Sequence, residues 1–474
     1  MKDYEHEVIV IGAGPNGLAA AIHIARSGHS VHVIEGGATV GGGARTQELT
    51  VPGFHHDVCS TIHPLAVSSP FFSTVPLHEY GLEFIQPPAS LAHPLDDGKV
   101  MLLRKSLAET GETLGVDREN YPNVLAKFVR RWDDLAPEIL GPISPLPSHP
   151  FLMADFGFKT LRSTTGFVRS YFEGPYASAI FAGCAAHSMI PLEDVPSAAF
   201  GMVLAITAHT AGWAIPKGGS QSISDAMAAH LRTLGGTIEL GRKIENVDEL
   251  PPAKAVVFDL TPRQIIRIAG HRLSSSYVSR LEKFEYGAGA FKMDFALSEP
   301  IPWKQKECLL AGTVHLGGTI EEIAESERAY QHGKVSEKPF VLTVQTSLFD
   351  PTRAPEGKHT AWAYIHVPNG YTEDMSERLE AQVERFAPGF RDCIIAKNVI
   401  TPAGLEAHNP NNVGGDIGGG ANTLDQTFTR PIVSLDPYYM APGYYICSSS
   451  TPPGGGVHGM CGLHAATSLI RREF

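Results

Sequence analysis

Apolar positions follow different rhythms in different parts of the chain. Glu7-Val-Ile-Val-Ile11 and Val31 to Ile34 are short unbroken apolar runs between turn residues, the pattern of strands buried on both faces. Ala255-Val-Val-Phe-Asp259 repeats the pattern and ends in acid followed by Pro262. Before it, Ile223, Met227 and Leu231 recur at helical spacing, and Gly235 stands where a left-handed cap belongs. Thr237 to Leu240 follows that glycine pair, and Lys243 to Val247 reads as another short strand. Residues 1–60 and 215–274 thus share one α/β style, so the chain leaves a nucleotide-type domain and returns to it.

Between these blocks the rhythm changes. Residues 65–150 are rich in proline, ending in Gly141-Pro-Ile-Ser-Pro-Leu-Pro-Ser-His-Pro150, which keeps regular elements short. Tyr176 to Ala186 and Ala198 to Ile206 are long apolar stretches that predict buried or groove-lining helices. Phe291 to Leu297 and Ala361 to Val367 alternate, predicting strands with one solvated or ligand-facing side. A Thr319-x-x-Glu322 capping box opens a helix reaching about Gln331, and Ser376 caps another through Leu379, Val383 and Phe386 to Pro388.

The chain has 474 residues, 43% hydrophobic and 19% charged, enough to bury two or three cores. Its 38 Lys plus Arg against 50 Asp plus Glu leave a net charge of -12, which excludes a general attraction for nucleic acid. Six scattered cysteines form no CxxC pair, and the charged first residues lack a leader's apolar segment, so a reducing, cytoplasmic setting is expected. No stretch reaches the roughly 18 apolar residues of a membrane span; attachment to one membrane face is compatible with the sequence.

The chemistry concentrates in glycine turns. Gly12-Ala-Gly14-Pro15-Asn16-Gly17 joins the first strand to a small-residue helix, and Glu35 ends the next strand. Gly12 allows the tight turn, Gly14 the approach of a pyrophosphate and Gly17 close packing of helix on strand, while Glu35 suits a ribose hydroxyl. A second turn, Gly36 to Thr46, holds Gly42, Gly43, Ala44 and Arg45, bringing backbone N–H groups and a guanidinium to the same phosphates. Near the far end, Gly454-Gly455-Gly456-Val457-His458-Gly459 precedes a terminal helix. N–H groups there suit the N1/O2 edge of a flavin, so the two ends together point to FAD rather than NAD.

With these features the chain resembles the phytoene desaturase-like members of the flavin amine oxidase/phytoene desaturase superfamily. The resemblance rests on Gly12 to Glu35, Val40-Gly-Gly42, Pro52-Gly-Phe-His-His-Asp57, Pro216-Lys-Gly-Gly219, Gly415 to Gln426 and the closing glycine loop. It implies an α/β fold with a discontinuous Rossmann-like FAD domain, 1–64, 215–274 and 426–474, and an α+β substrate domain, 65–214 and 275–425. It also implies that the Ile244 backbone meets the adenine. Two positions depart from the family pattern: Gly43 stands where an arginine is usual, and Gly419 where many relatives carry a histidine.

The expected activity is FAD-dependent transfer of hydride from a largely apolar small substrate to flavin N5, with oxygen, a quinone or NAD(P) as electron partner. Flavin-assisted isomerisation, amine oxidation and a flavin-free prenyl-binding role are the alternatives. His63, which the resemblance places beside the ring, leads the catalytic candidates because imidazole exchanges protons near neutral pH; His315 and Asp416 follow. His458-x-x-Cys461-x-x-His464 offers too few ligands for a tetrahedral metal site, so no metal is expected.

Overall fold

Val8–Ile11 is hydrogen-bonded in parallel to Val31–Ile34 on one side and to Ala255–Phe258 on the other. All four residues of the first and of the last of these strands are buried, which is why they read as continuous apolar runs. Thr237–Glu239 extends the sheet at one edge and Tyr444–Ile446, then Tyr439–Ala441, at the other, giving six strands drawn from three distant stretches. The structure, a computed structural model, describes residues 5–144 and 146–474. The charged opening residues 1–4 and Pro145 of the proline-rich run lie outside the described residues.

Helix Pro15–Arg26 begins directly after Gly14, with proline at its first position, where the absent N–H has no intrahelical partner to lose. It packs on helix Met460–Glu473 at very short range: the carbonyl of Asn16 stands where a side chain of Gly462 would begin, and Ala19 Cβ is 3.0 Å from that point. Helix Gln221–Thr233 packs on the same first helix and ends at Gly235, whose φ is +86°.

A seven-stranded sheet stands opposite, in the order Ile394–Ile400, Gly289–Leu297, His359–Val367, Val341–Val344, Ala311–Leu316, Ala89–Pro94, Val100–Leu103. Its pairs are antiparallel except Ala89–Pro94 with Ala311–Leu316. Helix Ser376–Phe386 covers one face through Leu379, Val383 and Phe386. Trp362, Tyr364, Leu342 and Val344 form the other face, toward the cleft between the sheets. Helices Pro175–Ala186 and Ser197–Thr210 are apolar on nearly all sides, and Ala199, Phe200, Val203 and Leu204 of the second line that cleft. Among the described residues no helix is long and apolar enough to cross a membrane.

Four local expectations are corrected. Gly289–Leu297 has no solvated side; its polar alternates Lys292 and Asp294 form an ion pair in the interior. Lys243 to Val247 is irregular chain passing into a 3-10 turn, because Arg242 N–H closes on the Glu35 carbonyl instead of continuing a ladder. Thr319 is the N-cap of helix Ile320–Ala329 but its hydroxyl makes no cap bond, and Glu322 turns to Arg385 at 2.8 Å. The start of helix Ser376–Phe386 is organised by Asp374, which accepts both the N–H and the hydroxyl of Ser376.

Candidate active site

The carboxyl ends of the first and third parallel strands meet the glycine turn, as expected for a ligand crevice in such a sheet. Gly12 has φ +101° and faces the backbone of Asp259. A side chain on Gly17 would strike the Gly12 carbonyl, so helix and turn touch directly. A Cβ on Gly14 would lie 2.7 Å from Asp259 Oδ2 and 3.9 Å from Gly42 Cα, which leaves the crevice walled by bare backbone from two turns. Pro15 and Asn16 line it, and so do Gly43 and Ala44.

Glu35 is fixed as an acceptor. Ala13 N–H donates to Oε2 at 2.7 Å, Gly37 N–H to Oε1 at 2.7 Å, and Arg45 Nη2 to Oε1 at 3.1 Å. Arg45 also donates to the Thr39 carbonyl, so its guanidinium braces the acid and the second turn rather than standing free in the crevice. The backbone at Gly43 leaves room beside Cys59, where an added Cβ would have its nearest neighbour at 3.9 Å. Ile244 lies on the same wall, at the end of the cavity nearest Glu35.

The loop Gly454–Gly459 closes the opposite end. Gly456 has φ +131° and Gly459, the cap of the last helix, φ +68°. Gly455, Gly456, Val457 and His458 line the cavity. His458 is tied into its own loop: Met460 N–H donates to Nδ1 and Nε2 reaches the Gly454 carbonyl, which assigns the proton to Nε2. Burial lowers its pKa to about 4. His464 and Cys461 point to the carbonyls of Leu140 and of Thr451 and Gly454.

His63 also lines the cavity. The Ser220 hydroxyl donates to the Ser60 carbonyl at 2.6 Å, so at 2.8 Å it accepts the proton of His63 Nε2 and leaves Nδ1 as the unprotonated acceptor. Ser220 is held in turn by its N–H to Asp57. Burial lowers the His63 pKa to about 4, so the ring is neutral at physiological pH. His315 is fully buried behind the wall and contacts His187, which does line the cavity, at 3.1 Å between Nε2 atoms. Asp416 faces no open space; it accepts the N–H groups of Gly287, Gly418 and Gly420 and shapes the loop that carries Gly419.

Several site residues escape sequence reasoning. Asp259, read only as a strand terminus, accepts the Gly17 N–H at 3.0 Å, and burial pushes its carboxyl up to about 7. Its position at the carboxyl end of a strand beside the glycine turn was the available signal. Ser220, His187 and Trp213 come from segments remote in sequence, and nothing local marked them; Trp362 and Tyr364 lie on the side of Ala361 to Val367 expected to be solvated or ligand-facing, and they line the cavity. Trp362 Nε1 donates to Thr61 at 2.8 Å, joining the inner sheet face to the segment before His63.

These walls enclose one cavity of about 1140 Å³, running from Glu35 and Ile244 past Gly14 and Gly42 to Trp362 and Tyr364. A single small ligand takes roughly 300–1,000 Å³, so the cavity lies just above the upper end of that range. An extended dinucleotide fits the donor set: an acid fixed at one end, bare glycine backbone in the middle, and glycine N–H groups at the other.

The profile of the NAD(P)-binding Rossmann-like domain matches residues 10–73. Over 98% of this chain and 94% of the relative, the sequence is 24% identical to pyridine nucleotide-disulfide oxidoreductase domain-containing protein 2 of Mus musculus. It is 25% identical to the neurosporene-forming phytoene desaturase of Rhodobacter capsulatus, over 96% and 91% of the two chains. Among solved structures, an oxidoreductase from Methanosarcina mazei superposes with a TM-score of 0.63 at 15% identity, covering 98% of this chain and 100% of the other. Putrescine oxidase bound to putrescine does so with 0.60 at 16%, covering 98% and 99%. The fold is thus one used by oxidoreductases, and the relationship supports enzymatic activity. The chain carries a Rossmann-type dinucleotide-binding domain and is related to the flavin amine oxidase/phytoene desaturase-like oxidoreductase superfamily.

Proposed function

We propose that the protein is an FAD-dependent oxidoreductase that takes hydride from a largely apolar small substrate, in the manner of a desaturase or dehydrogenase. The observation that carries this reading is the single cavity linking the Glu35 end to a chamber walled by Phe200, Val203, Leu342, Val344, Trp362 and Tyr364. In this reading residues 1–64, 215–274 and 426–474 hold the cofactor, and 65–214 with 275–425 hold the substrate.

Bound flavin supplies the hydride acceptor. The chain's own residues bind, orient and exclude water. Glu35 would accept from the adenosine ribose, Ile244 would back the adenine, and Gly12, Gly14, Gly42 and the N–H groups after them would admit the pyrophosphate. Gly455, Gly456 and Val457 would hold the flavin end. Asp259, once protonated, carries no charge against a phosphate at the same turn. Trp362 and Tyr364 dry the chamber, and His63, through Nδ1, is the acceptor placed to take a substrate proton. His315 acts only through His187, and Asp416 only through its loop.

Neutral substrates are favoured over cationic amines by the lining. Its carboxylates are Glu35 and Asp259 at the nucleotide turn and Glu138, which is occupied by the His149 N–H at 3.0 Å. None stands at the aromatic end to pair an ammonium group.

Purification tests the cofactor. The protein is expected to be yellow and to release, or after reconstitution to hold, one FAD per chain. A colourless protein that FAD does not reconstitute would leave the flavin-free prenyl-binding role instead. Mixing the oxidised protein anaerobically with NADPH, and the anaerobically reduced protein with a quinone or with oxygen, then identifies the electron partner by which one bleaches or restores the flavin band.

We further infer a peripheral membrane contact at the cavity's helical end. Helix Pro150–Thr160 lines the cavity with Met153 and Phe156 while exposing Phe151 and Phe158 on its outer side. A helix apolar on both sides is normally buried. Each phenylalanine is worth about 1.5–3 kcal/mol on leaving water, so F151S/F158S is expected to pellet more than roughly tenfold less with phosphatidylcholine/phosphatidylglycerol vesicles. Equal pelleting by variant and parent counts against the contact.

A further inference from the structure

The aromatic end of the cavity holds hydrogen-bonding groups that the protein itself leaves unpaired. Thr313 is 1% exposed, lines the cavity, and its hydroxyl has no partner. Two residues along the same strand, His315 is fully buried; its Nε2 meets His187 Nε2 at 3.1 Å, and its Nδ1 has no partner. Two imidazole nitrogens in contact require one to donate and the other to accept.

The choice follows from cost. A proton on His315 Nδ1 would be a buried donor without an acceptor, the more expensive kind of orphan. The cheaper arrangement puts the proton on His315 Nε2, donating to His187 Nε2. His187 must then carry its own proton on Nδ1, and that atom makes no hydrogen bond among the described residues. His187 is half-buried, in the cavity wall, and 6.1 Å from the Trp213 ring. It is therefore an N–H donor in the cavity wall, with the Thr313 hydroxyl as a second polar group on the neighbouring strand.

No charged side chain lines that end; Glu327, behind the wall, is paired with His366 at 2.8 Å. The lining cations Arg45, Arg242, Lys243 and Arg267 surround the nucleotide turn and the adenine wall. Lys292 lies under Trp362, 5.2 Å from its ring, but is committed to Asp294.

We propose that the sheet end of the cavity is a subsite for an uncharged oxygen function, a carbonyl, ether or hydroxyl group, carried by the apolar substrate and held by His187 and Thr313. This rests on the apolar-substrate reading above and narrows it: the substrate is not a pure hydrocarbon, a carboxylate or an ammonium ion. Burial, with the nearby His366, lowers the His187 pKa to about 3, so the donor stays neutral and offers no charge to an anion.

The test uses the FAD-loaded protein and four matched probes, decane, 2-decanone, decanoate and decylamine, titrated at pH 7 and read by perturbation of the flavin absorption band. The ketone is expected to bind at least tenfold tighter than each of the others. H187F is expected to lose that preference while keeping its affinity for decane, and H187N, which retains an N–H donor, to recover most of it. Full FAD content and an unshifted melting temperature in each variant confirm that it is folded. Equal or tighter binding of decanoate or decylamine in the parent, or an unchanged ketone preference in H187F, overturns the subsite. If no probe binds, decane included, the apolar-substrate reading itself falls and takes the subsite with it.

Discussion

Replacing Arg353 by alanine is expected to cost about 3–5 kcal/mol of stability, the usual penalty for leaving one member of a buried ion pair alone. Arg353 is 1% exposed and Asp57 not at all, and Nη2 donates to Oδ2 at 2.7 Å. Arg353 Nε also donates to the His55 carbonyl, while Thr46 and the Ser220 N–H fill the other carboxylate oxygen. Chemical unfolding followed by tryptophan fluorescence measures the loss; a change below about 1 kcal/mol would show the pair to be dispensable. The double variant D57N/R353M removes both charges and should be more stable than the single one.

The pH dependence gives an independent check, because its sign reverses. Burial opposes the Asp57 charge, but Arg353 and the hydrogen bonds overcome it and hold the carboxyl below its ordinary value. Its contribution is therefore complete above the unfolded value of about 3.9 and is lost as pH falls through the folded one. Without Arg353 burial prevails, the folded pKa rises, and stability falls as pH climbs above about 4. R353A should accordingly lose less, relative to the parent, at pH 5 than at pH 7.5.

Glu35→Ala has the second large effect, on cofactor retention. On the proposed reading it removes the acceptor of the ribose, and it leaves the Ala13 and Gly37 N–H groups without their partner. A hydrogen bond to a charged group contributes about 1.5–3 kcal/mol, so FAD affinity should drop roughly tenfold to a hundredfold. Calorimetric titration of the apoprotein with FAD measures it, with Glu35→Gln expected between the two. Unchanged affinity would remove Glu35 from the site.

What the sequence made legible is what chain geometry imposes locally. Glycine at positions 12, 14 and 17 and a fixed acid at 35 are demanded by a turn that backbone must enter closely, so the nucleotide end could be read in order along about 30 residues. The buried parallel strands were legible for the same reason: with both faces covered, their apolar runs are unbroken. The chamber was legible only in part: the alternation of Ala361 to Val367 predicts a solvated or ligand-facing side, and only pairing with Val341–Val344 and packing across the cleft make Trp362 and Tyr364 a wall. His63 was singled out for its chemistry, but its tautomer is dictated by Ser220, remote in sequence and fixed by Asp57. Arg353, fully buried, lies in a segment whose composition reads as surface loop, and only its partner Asp57 explains it. The reciprocal half of the capping box at Thr319 is missing because Arg385, from another element, takes the Glu322 carboxylate.

The contact of helix Met460–Glu473 with helix Pro15–Arg26 through Gly462 bears on how the protein comes into being. Synthesis proceeds from the amino end, so the nucleotide turn leaves the ribosome well before its covering helix and the Gly455–His458 wall, which stand far along the chain from it. Until they emerge, the first helix presents Ala19 and Ala20 to water and the crevice lacks one side. The crevice is therefore completed only by long-range closure of the chain.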